Sequence, residues 1–522
     1  MMNTPPLSEV DPSKRLSQSK LWQYQQDFFD RQGIDAWAGS VPFYVTSNHH
    51  ITNSYAESAF ALMIDYITKH PDSQNETFYL VELGTGSGQF SFYVLQYLSA
   101  CLQRYPAKAR PKFCYIMTDF TQNNLRFWTE HEGLKPFVKQ GVLDFAIFDM
   151  EKDSQIELYH QKKVLKKGVV KNPMIVFANY IFDTVSNDAF RVQSGTIQEL
   201  QVKLETDATN IREDGSINDL NRLNCKFSTQ AINPSTYYED RSINDILKYY
   251  QTNLNNTHVL IPTAGINTIK RLFEISSDRL MLLSSDKAYT ELSDIDYRDT
   301  PHIAFHGSFS LMVNYDAIIR YFHLNGGECT VPTPRQGLKT VLCLKGMKTD
   351  DLPRLKRAIS QHIEGVSPSD YFTIYRYFMD TQSNLNIDQI LAALSFTHWD
   401  PYVFNKLINR IMVILKDANE TAKLRLKAML PILEKKFYML PGCQNTYFNL
   451  GICCYLLKDF DLALSYYDKA ENTHGASANL SYNRGLCYHE NNQKIKALEQ
   501  FKLTLERDPN NKSAQEWLKK LS

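Results

Sequence analysis

The chain has 522 residues, of which 43% are hydrophobic and 22% are charged, a composition typical of a folded globular protein. This length exceeds what one ordinary core accommodates, so we expect roughly two to four domains. The 57 basic and 57 acidic side chains give a formal net charge of zero, which argues against a protein whose main role is to bind nucleic acid.

The cysteines and the N-terminus indicate a cytoplasmic protein. No two of the nine cysteines are spaced as Cys-x-x-Cys, so neither a zinc ribbon nor a thioredoxin-like site is supported. The first residues lack the apolar core of a signal peptide, and an odd number of cysteines without such a signal favours free thiols. Since no run of about 18 apolar residues occurs, the sequence predicts no membrane partner.

Residues 1–20 are rich in proline, serine and acidic residues and predict a flexible leader. Apolar residues then recur with helical spacing over 21–37 and from about 54 to 70. From 77 to 192 strand and helix patterns alternate, which predicts an α/β fold with a parallel sheet and crossover helices. The predicted strands are 77–83, 112–119, 143–149 and 172–179, and the predicted helices are 89–103 and a helix from about 121.

The alternation stops near residue 193. A hairpin is predicted to turn at Ser194-Gly195, and a polar insertion over about 193–260 suggests a lid or an added segment. The sheet pattern then resumes up to 346, so a first domain over 21–346 is expected, followed by a linker over 347–353. The resumed elements are helices at 264–275 and near 314–324, and strands at 279–285, 328–333 and 340–346.

Residues 353–522 predict an all-α domain that contains a repeat of 34 residues. Glycine recurs at 451 and 485, alanine at 463 and 497, and an aromatic residue at 467 and 501. This pattern is typical of tetratricopeptide repeats, here predicted at about 447–475 and 481–509. Such repeats stack into a solenoid whose concave groove binds extended peptides, so a protein substrate or partner is expected to bind through this domain.

The stretch Glu82-Leu-Gly-Thr-Gly-Ser-Gly88 joins a predicted strand to a predicted helix. No Lys-Ser/Thr pair follows, which excludes a phosphate-binding P-loop, and Gln89 stands where a dinucleotide-binding turn needs its third glycine. Glycine at every second position lets backbone amides approach a compact ligand, and Glu82 can bind the ammonium of an amino-acid moiety. S-adenosylmethionine is therefore favoured over NAD, with the predicted contacts Glu82, Gly84, Thr85, Gly86 and Gly88.

Two further acids end the next two predicted strands. Asp119 stands where a carboxylate accepts hydrogen bonds from ribose hydroxyls in related nucleotide folds. Asp149, followed by Met150, is placed to reach the adenine amino group. Either acid alone could simply form a turn or cap a helix, but the two in this order favour a cofactor site.

The fourth strand leads into Val-Phe-Ala-Asn-Tyr-Ile-Phe-Asp-Thr-Val (176–185), which topology brings to the same crevice. Methyl transfer needs the acceptor to be positioned and its proton to be removed. Asn179, Tyr180 and Asp183 are the predicted catalytic residues, and Asp183 could accept the proton of an amine or guanidine. The alternative is a helix N-cap for Asp183 and a packing role for Tyr180.

No metal site is predicted. His302 and His306 are spaced like helical metal ligands, but the segment begins at Pro301 and its pattern is that of a strand or turn.

Four segments together resemble the MidA family of class I S-adenosylmethionine-dependent methyltransferases. They are Val-Glu-Leu-Gly-Thr-Gly-Ser-Gly at 81–88 and the stretches 178–192, 280–287 and 307–327, and the resemblance extends roughly over 40–345. That family includes a mitochondrial assembly factor that dimethylates an arginine on a complex I subunit. The resemblance implies a Rossmann-like sheet over 21–346, S-adenosylmethionine as cofactor, and methylation of a protein.

The chain departs from the family pattern at three places. Tyr180 replaces the glutamate of Asn-Glu-x-x-Asp, Ser186 replaces a proline, and Ser285-Asp286-Lys287 replaces Asp-Tyr-Gly. Arginine is therefore not implied as the acceptor. Three hypotheses remain: a protein methyltransferase that recruits its substrate through the helical tail, an assembly factor that binds the cofactor without turnover, and a methyltransferase for a small molecule or RNA.

Overall fold

The computed structural model describes residues 7–38, 44–295, 297–331 and 337–521, with the backbone alone for 36–38. The chain divides after Asp370 into an N-terminal unit and a C-terminal unit. The first six residues of the predicted leader, and the last two of the strand predicted at 328–333, lie outside the described residues. None of the described helices has both the length and the apolar character needed to cross a lipid bilayer.

The strands are numbered in chain order. The first nine are β1 (Leu7–Arg15), β2 (Thr77–Glu82), β3 (Lys112–Asp119), β4 (Leu143–Ile147), β5 (Ile156–Glu157), β6 (Val164–Leu165), β7 (Met174–Phe177), β8 (Asp188–Gln193) and β9 (Thr196–Asp207). The others are β10 (Asn224–Ala231), β11 (Thr257–Ile261), β12 (Leu280–Tyr289), β13 (Ala304–His306), β14 (Ser308–Ser310), β15 (Val313–Asn314), β16 (Glu328–Thr330) and β17 (Leu338–Lys345).

The helices are numbered in the same way. The first ten are α1 (Lys20–Gln32), α2 (Tyr44–Ser47), α3 (His49–Lys69), α4 (Gln89–Gln103), α5 (Gln122–Glu130), α6 (Lys135–Lys139), α7 (Arg241–Asn253), α8 (Thr263–Ile275), α9 (Tyr315–Leu324) and α10 (Pro353–Ala358). The others are α11 (Pro368–Asp380), α12 (Ile387–Phe396), α13 (Pro401–Ile414), α14 (Glu420–Lys436), α15 (Thr446–Leu456), α16 (Phe460–His474), α17 (Ala478–Glu490), α18 (Lys494–Arg507) and α19 (Lys512–Leu521).

The N-terminal unit is built on a central sheet with the strand order β4-β3-β2-β7-β12-β17-β16, and β15 pairs with β12. Strands β4 to β12 of this order are parallel to their neighbours, whereas β17 is antiparallel to β12. Within this sheet the first strand along the chain is β2. The chain then adds β3 and β4 on one side of β2 and continues with β7 on its other side. The strand order therefore reverses between β2 and β7, where open α/β sheets bind ligands beyond the carboxyl ends of their strands.

The predicted α/β alternation is confirmed. Strand β3 and helix α4 have the bounds that the sequence predicts, because both are apolar segments with clear ends. The hairpin of β8 and β9 also turns where expected: Ser194 and Gly195 have φ angles of 50° and 73°, as a tight two-residue turn requires.

The prediction of a flexible leader is wrong for residues 7–20. Strand β1 pairs antiparallel with β9, in a second sheet with the order β1-β9-β8-β11 in which β10 also pairs with β9. Asp11 is fully buried and anchors the start of α1, because its Oδ2 accepts hydrogen bonds from Ser19 Oγ (3.1 Å) and Lys20 N–H (2.8 Å). The polar insertion predicted over about 193–260 contains β9, β10 and α7.

The linker predicted over 347–353 does not separate the two units. Helix α10 follows it directly and belongs to the N-terminal unit. The carboxylate of Asp65 on α3 accepts hydrogen bonds from the backbone N–H groups of Arg354 (2.8 Å) and Leu355 (3.0 Å). The boundary therefore comes later, after Asp370.

In the C-terminal unit two successive helix pairs have the same close contact. An added Cβ at Gly485 on α17 would lie 2.6 Å from Cε1 of Phe501 on α18, and Gly451 on α15 faces the ring of Tyr467 on α16 in the same way. Glycine is therefore needed at both positions, and the 34-residue spacing of the sequence is also a spacing of packing contacts.

Candidate active site

The glycine turn after β2 has a backbone that excludes side chains. Gly84, Gly86 and Gly88 have φ angles of 61°, 57° and 81°, a region that other residues rarely adopt. An added Cβ at Gly84 would lie 2.5 Å from Cδ1 of Ile181. The turn thus presents bare backbone at the point where the strand order reverses.

Two threonines fix this turn to the end of β3. The N–H of Thr85 donates to the carbonyl of Thr118 (2.8 Å), and the N–H of Thr118 donates to Oγ1 of Thr85 (3.1 Å). Thr118 Oγ1 also donates to the carbonyl of Glu82 (2.6 Å). These bonds hold the glycine turn in a single position relative to the next residue, Asp119.

Asp119 joins the glycine turn to the start of α5. Its Oδ2 accepts a hydrogen bond from Gly86 N–H (3.2 Å) and its Oδ1 accepts one from Thr121 N–H (3.1 Å). The residue is 7% exposed, and burial raises the pKa of its carboxyl. The carboxyl is held in place before any ligand arrives, as a preorganised ribose contact would be.

Glu82 is buried at the end of β2. Its Oε2 accepts hydrogen bonds from the hydroxyls of Tyr115 (2.7 Å) and Ser91. Burial is the main effect on its pKa and raises it to about 7. Near neutral pH a cation that approaches Glu82 would favour the ionised carboxylate.

Asp149 lies in a turn that uses both of its carboxylate oxygens. Oδ1 accepts a hydrogen bond from Glu151 N–H (2.8 Å), and Oδ2 pairs with Nζ of Lys152 (2.7 Å). Met150 is buried, and its carbonyl accepts a hydrogen bond from Thr268 Oγ1 (2.7 Å). The contact of Asp149 with an adenine amino group stays a prediction.

The segment after β7 carries the three predicted catalytic residues. Asn179 Oδ1 accepts hydrogen bonds from Tyr55 OH (2.9 Å) and Ser285 N–H (2.9 Å), which fix the start of the segment. Tyr180 has a φ of 49°, a strained conformation for a residue with a large side chain. Asp183 is 6% exposed in a turn between β7 and β8, so the alternative that it caps a helix is wrong.

These residues surround one cavity of about 600 Å³, a size typical of small-molecule sites. Gly86 and Gly88 shape the turn behind it and are not among its lining residues. The predicted residues that do line it are Glu82, Gly84, Thr85, Asp119, Asp149, Met150, Asn179, Tyr180 and Asp183. The structure therefore brings together the cofactor and catalytic residues that the sequence predicts.

Other residues of the cavity wall were not predicted. Phe120, next to Asp119, is 38% exposed and lines the cavity, so an aromatic residue directly after the predicted ribose acid was an available signal. Trp22 of α1, and His302 and Met312 from the region of the β13–β14 hairpin, come from distant parts of the chain. No local sequence pattern predicts that these residues line the cavity, because only the tertiary fold brings them there.

The comparison with known families agrees with this geometry. Residues 60–292 match a family model described as "Putative S-adenosyl-L-methionine-dependent methyltransferase". The matched segment contains the glycine turn, Asp119, Asp149 and Asp183. The chain is an S-adenosylmethionine-dependent methyltransferase. The enzyme class and the cofactor predicted for this methyltransferase are confirmed.

Likeness of the methyltransferase to solved structures is weak. An uncharacterised protein from Burkholderia thailandensis shares 10% identity, with 60% of this chain and 79% of that chain covered and a TM-score of 0.32. A second protein from Burkholderia thailandensis, bound to S-adenosyl-homocysteine, shares 11% identity, with 60% of this chain and 80% of that chain covered and a TM-score of 0.32. A methyltransferase from Aquifex aeolicus shares 9% identity, with 55% of this chain and 92% of that chain covered and a TM-score of 0.23. No curated protein matches the sequence.

Proposed function

We propose that the methyltransferase modifies a nitrogen atom of a protein substrate. The observation that carries this proposal is Asp183, which lines the cavity and whose Oδ1 has no hydrogen-bond partner among the residues described. An amine or guanidinium must lose a proton when it gains a methyl group, and a nearby carboxylate can accept that proton. Burial raises the pKa of Asp183, so its ionised form is a stronger base than an ordinary aspartate.

The cofactor fits the residues at the glycine turn. The bare backbone at Gly84 would admit it, Glu82 would bind its ammonium group, and Asp119 its ribose hydroxyls. Asp149 and Met150 would lie beside the adenine. When bound, S-adenosylmethionine supplies an electrophilic methyl group on a sulfonium.

Asn179 and Tyr180 would position the acceptor beside Asp183. Asn179 is fixed by Tyr55 and Ser285, which keeps the start of the segment in place. Tyr180 lines the cavity, and burial raises the pKa of its phenol, so the hydroxyl remains protonated and can donate a hydrogen bond. Both roles are those of positioning residues, whereas Asp183 would receive the proton.

We further propose that the helices after residue 353 form a tetratricopeptide solenoid that binds the substrate protein. The support is the repeated contact of Gly451 with Tyr467 and of Gly485 with Phe501, which matches the small-large packing of such repeats. Ala463 and Ala497, also 34 residues apart, are both fully buried. Solenoids of this kind bind extended peptides and perform no chemistry themselves.

The resemblance to the MidA family supports a protein as the substrate. A second candidate is an assembly factor of that family type which binds the cofactor without turnover, and the replacement of the family's glutamate by Tyr180 favours it. For either function we propose the cytoplasm, since the nine cysteines are all free thiols.

Calorimetry and labelling test these proposals in turn. Titration of S-adenosyl-homocysteine into the full chain should give a saturable heat, and Gly86→Arg should abolish it because the new side chain occupies the turn. Labelled S-adenosylmethionine and a cell lysate should then give labelled protein with the wild type and none with Asp183→Asn.

The distribution of label separates the candidates. Label in small molecules or RNA would contradict a protein substrate. Cofactor binding without any label would favour the assembly factor. A chain lacking residues 371–522 that still labels the same protein would contradict recruitment by the helical unit.

A further inference from the structure

The turn that contains Asp149 is joined to the segment between β7 and β8 by the side chain of Glu151. Its Oε1 accepts two hydrogen bonds from Ser186, one from the backbone N–H (2.9 Å) and one from Oγ (2.5 Å). Ser186 is buried, and Glu151 lines the cavity. The backbone N–H of Glu151 in turn donates to Oδ1 of Asp149 (2.8 Å). One side chain therefore connects the predicted adenine contact with the segment that carries Asp183.

Helix α8 completes this connection. The carbonyl of Ser186 accepts hydrogen bonds from Ala264 N–H (3.1 Å) and Thr263 Oγ1 (3.2 Å) at the start of the helix. One helical turn later, Thr268 Oγ1 donates to the carbonyl of Met150 (2.7 Å) in the turn after β4. The turn after β4, the segment after β7 and α8 thus form a closed ring of hydrogen bonds, in which a shift of one part strains the other two.

The position of Asp183 depends on the same ring. An added Cβ at Gly265 on α8 would lie 2.6 Å from Cδ1 of Phe182, so the helix packs directly against the residue before Asp183. The side-chain amide of Asn187, the residue after Ser186, donates to the carbonyl of Phe182 (3.2 Å). Asp183 is therefore held between groups that the ring fixes.

The two bonds to Glu151 require a residue such as serine at position 186. Proline, which the MidA family pattern has at this position, carries neither a backbone N–H nor a hydroxyl and could make neither bond. The connection thus depends on this chain's own departure from the family pattern, and a substitution at either end breaks it.

We propose that Glu151 is a positioning residue that couples the seating of the cofactor's adenine to the placement of Asp183. This inference rests on the proposed function, in which Asp149 and Met150 lie beside the adenine and Asp183 receives the proton. An adenine that orders the turn after β4 also orders Glu151 and, through Ser186, the end of the segment after β7. Because the rate of methyl transfer depends steeply on the placement of the reacting groups, loss of Glu151 lowers the rate more than it weakens cofactor binding.

The first experiment measures the coupling without a methyl acceptor. Hydrogen–deuterium exchange of the full chain should become slower on addition of S-adenosyl-homocysteine, both at the glycine turn and at the amides of 184–187. In Glu151→Ala the slowing at the glycine turn should persist, whereas the slowing at 184–187 should shrink at least about twofold. Glu151→Gln should behave as the wild type, because its Oε1 still accepts both hydrogen bonds.

Glu328→Ala is a matched control for this experiment. Glu328 Oε1 likewise accepts hydrogen bonds from both the backbone N–H and the hydroxyl of one residue, Thr349, but Glu328 is not a lining residue of the cavity. Its replacement should leave the slowing at 184–187 unchanged. Equal slowing there in the wild type and Glu151→Ala, or none in the wild type, would overturn the proposal.

The second experiment measures the effect on methyl transfer. With a methylated protein in hand, kcat should fall at least about tenfold in Glu151→Ala, while the Kd for S-adenosyl-homocysteine rises less than about threefold. Ser186→Pro should lower kcat in the same way, and combining the two substitutions should cause no further loss. If these variants do not fold, Ser186→Ala removes only the hydroxyl bond and should give a smaller fall in kcat.

The two experiments separate this proposal from the proposed function. A loss of Kd with unchanged kcat in Glu151→Ala would contradict a positioning role. A wild-type protein that binds S-adenosyl-homocysteine but methylates nothing would refute the proposed function, and the exchange data would then still decide whether Glu151 carries the coupling.

Discussion

Replacing Asp119 by alanine removes the acceptor that holds the glycine turn to α5. The carboxylate accepts two backbone hydrogen bonds, from Gly86 N–H (3.2 Å) and Thr121 N–H (3.1 Å), and would lose its contacts with a ribose as well. An unmade hydrogen bond at a buried site costs about 1–3 kcal/mol. Since about 1.4 kcal/mol corresponds to a tenfold change, the Kd for S-adenosyl-homocysteine should rise about 5- to 140-fold.

Asp144→Ala is a matched control for this experiment. Asp144 is fully buried on the neighbouring strand β4 and also accepts backbone hydrogen bonds, from His160 N–H (2.8 Å) and Gln161 N–H (3.0 Å), but it is not a lining residue of the cavity. Isothermal titration of S-adenosyl-homocysteine should therefore give a higher Kd for Asp119→Ala and an unchanged Kd for Asp144→Ala. Thermal unfolding should show lower stability for both variants. Equal affinity of Asp119→Ala and wild type, with both folded, would refute the assignment of Asp119 to the cofactor.

Three further predictions concern other parts of the chain. Burial raises the pKa of Glu82 to about 7, so binding of a cationic amino group below that pH should release a proton from its carboxyl. Calorimetry in buffers of different ionisation enthalpy measures this proton release. The Glu82→Gln variant should show no such release. The raised pKa of Asp286 means that the folded chain retains a proton which the unfolded chain releases above about pH 4. Wild-type stability should therefore fall relative to Asp286→Asn as pH rises above about 5, by at most about 1.4 kcal/mol per pH unit, and parallel unfolding curves would contradict this. Gly485→Ala should destabilise the chain by about 1–3 kcal/mol in denaturant unfolding, because the added Cβ would meet the ring of Phe501. Adding Phe501→Leu to this variant should recover part of the lost stability. Unchanged stability of Gly485→Ala would show that α17 and α18 are not so close.

The sequence predicts the elements whose signals are local. Strand β3 ends at Asp119 and helix α4 starts at Gln89 as expected, because a buried strand between charged or glycine residues has clear ends. The carboxyl ends of parallel strands meet at one edge of a sheet, so the amino-acid order alone assigns the glycine turn, Asp119 and Asp149 to one crevice.

Long-range pairing accounts for what the sequence does not predict. Strand β1 is too polar to indicate burial, and its partner β9 begins at residue 196, so only the tertiary fold reveals that Leu7–Arg15 is ordered. The hydrogen bond from Ser285 N–H to Asn179 Oδ1 has the same origin, since the two residues lie 106 positions apart and meet because β12 runs beside β7. The resemblance in sequence marks Ser285 only as part of a departure from an Asp-Tyr-Gly pattern.

The anchoring of β1 has a consequence for how the enzyme can be handled and processed. Asp11 holds the first turn of α1, and α1 contributes Trp22 and Gln25 to the cavity wall, with Gln25 Nε2 donating to the carbonyl of Phe309 (2.6 Å). Proteolysis after Arg15, or expression of a chain that begins there, would remove Asp11 and with it the anchor of α1. Every residue of the glycine turn would remain. Loss of residues 7–15 is therefore expected to lower activity, because it would free α1 without altering any residue predicted to contact the cofactor.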